Sequence, residues 1–172
     1  MRPLRDLTPG KYHLLSCRTR QSELLFIPSS KLNNCIGGVI AKYLNEYNIN
    51  LYAAKVLGNH YHMLVKAHDG YENDISLFAG NVNREISKRV NRLIGRSGSL
   101  WHRRFDDIVT VEIEKDELEA LLYILTNSVK HGLVAHSKHW PGISTYKQSL
   151  GAKSQKYTFL NYTEYKLSLI HI

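Results

Sequence analysis

The sequence predicts a ferredoxin-like α+β fold, an antiparallel sheet with helices packed on it and one further helix after the last strand. Three observations predict it. Short β-type runs and longer helix-period runs follow one another as strand, helix, strand, strand, helix, strand, helix. The two middle strands are separated only by Gly58-Asn59, a hairpin-length connection. Each of the longer runs repeats its apolar residues at helical spacing and so has a stripe to bury on a sheet.

The elements follow in order. After the Pro9-Gly10 turn, residues 11–18 read as the first strand. Leu32, Ile36, Val39, Ile40, Tyr43, Leu44 and Tyr47 then mark the first helix, and Pro28 with Ser29-Ser30 suits its start. Residues 49–57 and 60–66 form the hairpin, with His60 opening its second arm. The second helix runs from about Asp74 to Gly95 on the stripe Ile75, Phe78, Val82, Ile86, Val90 and Leu93. A glycine-containing loop with Trp101 leads to a fourth strand at 105–113. The third helix spans about Asp116 to Lys130 and stops before Gly132, with Glu114, Asp116 and Glu117 at its positive end.

Bulk properties bound the function. The 172 residues are 43% hydrophobic and 22% charged, which suits one domain with a real core. A net charge of +8 favours an anionic partner, whether DNA, RNA or an acidic membrane. No apolar run is long enough to span a membrane, and the N-terminus Met1 to Asp6 lacks a secretory stretch. Cys17 and Cys35 form no CxxC pair, so a cysteine zinc site or disulfide framework is not expected. The expected location is the cytoplasm, in association with the nucleoid.

Three features carry candidate chemistry. His60 and His62 sit two apart on a predicted strand, so both imidazoles leave the same face while Tyr61 points away. Residues so spaced are about 7 Å apart along the strand and can converge on one cation, although an HxH triplet also arises often by chance. On the third helix, the stripe Leu118, Leu121, Leu122, Leu125 and Val129 puts Tyr123 roughly 140° from its centre. Tyr123 is therefore not simply a core residue of that stripe, and Asn127 lies one turn on, beside it. With eleven tyrosines in the chain, packing is the competing explanation. Arg84, Lys88, Arg92 and Arg96 recur every four residues, and Arg89, Arg103 and Arg104 extend the basic set. The set reads either as a solvated helix face or as a track for DNA phosphates. Trp101 either stacks on unpaired bases or plugs the core. His13 reads first as a core histidine, with a place near a metal as the alternative.

These pieces together resemble the REP-associated tyrosine transposases, a branch of the single-tyrosine HUH transposase-like proteins. The resemblance runs from about Pro9 to Tyr146. It is carried by Gly10 to Leu14, Gly58 to Leu64, Gly98 to Phe105, Leu122 to Val129 and Trp140 to Tyr146, in this order and spacing. It implies a catalytic domain over residues 1–147 followed by a C-terminal tail at 148–172. It also implies an HUH pair at His60 and His62 on a central strand, and a nucleophile at Tyr123 on a C-terminal helix. Asn127 is then a further ligand for a divalent metal, Mg²⁺ or Mn²⁺. The implied substrate is single-stranded or hairpin DNA such as a repeated extragenic palindrome, cut and rejoined through a 5′-phosphotyrosine link by a monomer or homodimer. Three positions depart from the family pattern: Gly58 where proline is usual, Ser128 in place of the proline of Asn-Pro-Val, and the aromatic Tyr61 between the histidines. Two other readings of the same residues are a silent hairpin-binding module and a phosphodiesterase that uses water with Tyr123 merely structural.

Overall fold

The computed structural model describes residues 9–109 and 115–159. Its strands are β1 (His13–Arg18), β2 (Ile49–Val56), β3 (His60–Ala67) and β4 (Asp106–Val109), and its longer helices are α1 (Ser30–Glu46), α2 (Asn73–Leu93) and α3 (Lys115–Lys130), with a short α4 (Tyr146–Ser149). The strands make one antiparallel sheet in the spatial order β2-β3-β1-β4, the ferredoxin-like arrangement, and β3 is central. The fourth strand is described from Asp106 to Val109, with Phe105 just ahead of it; residues 110–113 of the expected 105–113 run lie outside the described residues, as do Met1 to Asp6, Glu114 and the tail from residue 160.

Local chemistry sets the boundaries. Ser29 caps α1, its Oγ accepting from the Leu32 N–H at 3.2 Å. The Leu57 N–H donates to the His60 carbonyl at 2.8 Å and closes the two-residue turn at Gly58-Asn59. Past the end of α3, Gly132 takes φ 66° and donates to the Val129 carbonyl at 2.8 Å, while Leu133 donates to Ser128 at 2.9 Å. A side chain would strain that left-handed cap, so glycine ends the helix there.

The sheet separates two layers. Leu15, Cys17, Ala54, Tyr61, Met63 and Val65 face α1 and α2 and form the main core with Ile36, Val39, Phe78, Val82 and Ile86. Ala53 and Leu64 face the other way and pack with Ala120 and Ile124 of α3. A bulge at Tyr52 shifts the β2–β3 register between Leu51 and Ala53, so Lys55 pairs with His62. The outer edge of β2 is covered: Val56 donates to Ile143 and Thr145 donates to Ala54, both at 3.0 Å.

One expectation is corrected. The aliphatic stripe of α3 faces the sheet only in part: Leu121 packs on the Ala53–Leu64 cluster and Leu125 is buried. Leu118 is 55% exposed and Leu122 50%, whereas Ala120, Ile124, Asn127 and Ser128 are buried. The sheet surface beneath α3 carries imidazoles and an ammonium as well as Ala53 and Leu64, so the helix presents its mixed face to it. Residues 157–159 lie across α1. Asn34 donates from Nδ2 to the Thr158 carbonyl at 3.2 Å and accepts from the Thr158 N–H at 3.0 Å.

Candidate active site

Strand alternation places Leu14, Ser16 and Arg18 of β1, Lys55 of β2, and His60, His62 and Leu64 of β3 on the face beneath α3. The imidazoles of His60 and His62 lie 4.9 Å apart by ring centroids, nearly perpendicular. Tyr123 descends from α3 onto them. Its ring centroid is 5.1 Å from that of His62, and its hydroxyl oxygen is 3.5 Å from His62 Nε2. The off-stripe position of Tyr123 is thus explained: it belongs to the face that packs on the sheet.

Burial keeps these groups neutral. Desolvation, then the charges of Arg18 and His131, lowers the pKa of His60 to about 4. Desolvation, then His60, Arg18 and His131, lowers that of His62 to about 3. Both imidazoles are neutral at pH 7, the state that offers a lone pair to a metal. Asn59 orients one of them. Its Nδ2 donates to the Ser22 carbonyl at 3.1 Å, which turns its Oδ1 to His60 Nδ1 at 2.6 Å. His60 then donates from Nδ1 and keeps its lone pair on Nε2.

The set fits a divalent metal. Asn127 is fully buried, and neither its Oδ1 nor its Nδ2 has a hydrogen-bond partner; His62 Nδ1 is buried and unpaired as well. Buried polar atoms are almost always satisfied, so these polar groups are open to a ligand or an ordered water. Among the described residues no group of three His, Cys, Asp or Glu could hold an ion. A third donor would be the Asn127 amide, whose oxygen suits Mg²⁺ or Mn²⁺, whereas the two imidazoles suit softer divalent ions.

The structure also brings in residues that the sequence reading passed over. Lys55 is fully buried under α3, and its Nζ donates to the Leu125 carbonyl at 2.7 Å and to Ser128 Oγ at 2.9 Å. Burial lowers its pKa to about 8. Ser128, where the family pattern has proline, is therefore an acceptor for this lysine. His131 approaches His60 at 6.1 Å by centroids, and Lys130 lies 5.3 Å from the Tyr123 ring centre. A buried lysine with no carboxylate nearby in sequence leaves no spacing signal, because its partners sit about seventy residues away.

Other candidates fall elsewhere. Arg84, Lys88 and Arg92 are exposed on α2, in the layer on the far side of the sheet from Tyr123. Arg96 is tied to Glu23 at 3.4 Å and to the Ser99 carbonyl at 3.0 Å. Arg89 is a correction: it is 8% exposed, bonded to Glu85 at 2.6 Å and stacked 3.9 Å over the Phe159 ring, so it is not part of an open phosphate track. Arg103 pairs with Asp106 at 2.9 Å, and Arg104 lies 5.5 Å over the Phe105 ring. Trp101 plugs the core, donating to the Asn83 carbonyl at 2.8 Å between Phe26 and Tyr61. His13 sits with Leu15 and Cys17 on the α1–α2 face, away from the histidine pair. Tyr61 points the same way and donates to Asn83 at 2.7 Å, which anchors β3 from behind. A cavity of about 560 Å³ lies between α1, β2 and residues 143–157, also away from the histidine pair.

A ferredoxin-like sheet thus sets two neutral imidazoles beneath a helix that carries a phenol and a buried amide. The chain belongs to the IS200-like transposase family, whose model, described as "Transposase IS200 like", matches residues 7–125. It is 30% identical over 110 residues to the Haemophilus influenzae protein named "Putative REP-associated tyrosine transposase", covering 59% of this chain and 62% of that protein's length. It also superposes on a solved REP-associated tyrosine transposase bound to a REP hairpin with a TM-score of 0.71 at 21% identity, over 94% of this chain and 95% of that one. That likeness extends the shared fold to nearly the whole chain. Among the described residues no helix is long and apolar enough to cross a membrane.

Proposed function

We infer that the chain cleaves and rejoins single-stranded hairpin DNA of the repeated-extragenic-palindrome kind, with Tyr123 as nucleophile. The observation that carries this reading is the approach of the Tyr123 hydroxyl to 3.5 Å from His62 Nε2, beside an orphaned buried amide. A phenol in water ionises only near pH 10, so it needs help at neutral pH. His60, His62 and Asn127 would hold a divalent cation, which polarises a phosphoryl oxygen when bound.

The step balances without an external energy source. The Tyr123 oxygen forms a bond to phosphorus and loses its proton to solvent; the phosphorus–O3′ bond breaks, and the departing O3′ takes up a proton. One phosphodiester becomes another, and reversal rejoins the strand. The hairpin-bound structure of the related transposase and the net charge of +8 both support a folded DNA partner. A labelled hairpin oligonucleotide with single-stranded flanks, incubated with Mn²⁺ and run on a denaturing protein gel, tests the reading. The expected result is a covalent adduct that is absent in Tyr123→Phe. Binding without cleavage would make the chain a silent hairpin-binding module. Cleavage that survives Tyr123→Phe would assign the attack to water.

A further inference from the structure

The face beneath α3 holds one strong cation that the reading above leaves without work. Arg18 closes β1 directly opposite His60 in the antiparallel register. Its side chain therefore leaves the sheet on the histidine face, with Cβ atoms about 5 Å apart. It is exposed, and its charge acts on both His60 and His62. Across the site, the end of α3 brings Lys130 to 5.3 Å from the Tyr123 ring centre and His131 to 6.1 Å from the His60 ring, both exposed. The one carboxylate that the register puts on this face beside Ser16, Asp106, is already paired with Arg103 at 2.9 Å. Cationic groups thus stand on both banks of the histidine pair.

Phosphoryl transfer gathers charge on the non-bridging oxygens. The neutral imidazoles and the amide supply no positive charge of their own. A guanidinium presents a fixed fork of donors that matches two phosphate oxygens and stays charged at any working pH. We propose that Arg18 is a catalytic residue that grips a non-bridging oxygen of the phosphate attacked by Tyr123, with Lys130 and His131 lining the opposite bank of the same strand. The proposal rests on the phosphotyrosine reading. Arg18 donates hydrogen bonds throughout and transfers no proton.

The test uses the full chain, the flanked hairpin oligonucleotide and Mn²⁺. Arg18→Gln should slow adduct formation about 10²- to 10³-fold at saturating DNA, the loss typical of one transition-state donor. Arg18→Lys should recover part of the rate, and Mn²⁺ affinity measured by calorimetry without DNA should not fall, because Arg18 is not a ligand. An adduct rate at the wild-type level in Arg18→Gln, or a loss matched by lost Mn²⁺ binding, overturns the proposal. A second measurement separates it from the reading it rests on. In a Tyr123→Phe background, Arg18→Gln should flatten the salt dependence of hairpin binding by about 0.7 in log–log slope, one single-strand phosphate contact. A wild-type chain that forms no adduct, with this slope change present, rejects the nucleophile and keeps the phosphate contact; an unchanged slope rejects the contact.

Discussion

Both polar atoms of the Asn127 amide are buried without a partner, and such a group costs about 1–3 kcal/mol in a folded protein. Asn127→Leu, similar in size and apolar, should therefore raise the melting temperature of the metal-free protein by about 2–4 °C. The same variant should lose the extra stabilisation that Mn²⁺ gives the wild type, as read by thermal melts with and without the ion. The histidines set the pH dependence. Both folded pKa values lie below the ordinary value of 6.5, so the unfolded chain binds protons that the folded one does not. The stability of the metal-free protein is then full above about pH 6.5 and falls as pH drops toward 4 and 3. Denaturant melts in chelator should show that fall shrink in His62→Gln. The shared face of His60 and His62 and the off-stripe angle of Tyr123 were readable locally, from strand alternation and helix period, but the family resemblance was what singled these three residues out. Arg18 and Lys55 were not readable in this way, because their relation to the histidines exists only across paired strands.

At the scale of elements, α3 packs by a face turned partly away from its aliphatic stripe, keeping Leu121 and Leu125 and leaving Leu118 and Leu122 outside. Leu118→Lys and Leu122→Lys should each change stability by less than about 0.5 kcal/mol, whereas Ile124→Ala should cost about 2–4 kcal/mol by equilibrium unfolding. The reverse ordering would return the aliphatic stripe to the core. Strand β2 gives a second case. Simple alternation would put Lys55 on the side of Ile49 and Leu51, in the main core. The bulge at Tyr52 reverses the parity and delivers Lys55 to α3. Bulges leave no alternation signal, so the strand was legible and its facing was not. Because burial lowers the Lys55 pKa to about 8, the unfolded chain carries the extra proton between about pH 8 and 10.5. Stability should rise across that window, and Lys55→Met should flatten the rise.

At the scale of the molecule, the sheet is a partition. Its α3 side carries the proposed chemistry, and its α1–α2 side carries the main core and the exposed arginines of α2. Element order alone predicted this sandwich, since a hairpin between two helix crossovers leaves β3 in the middle. Which helix lay on which side was not in the pattern. The docking of residues 157–159 on α1 has a dynamic consequence. Gly37 and Gly38 sit in mid-helix, where each weakens a helix by about 1 kcal/mol relative to alanine. Here they make room: a methyl at Gly37 would enter the Tyr157 ring, and one at Gly38 would lie 2.6 Å from the Thr158 carbonyl oxygen. Gly37→Ala should thus destabilise the protein instead of strengthening α1. The centre of α1 is then clasped by a segment more than a hundred residues along the chain. In native-state hydrogen exchange, the amides around Gly37 and that of Thr158 should open as one unit, with one shared free energy.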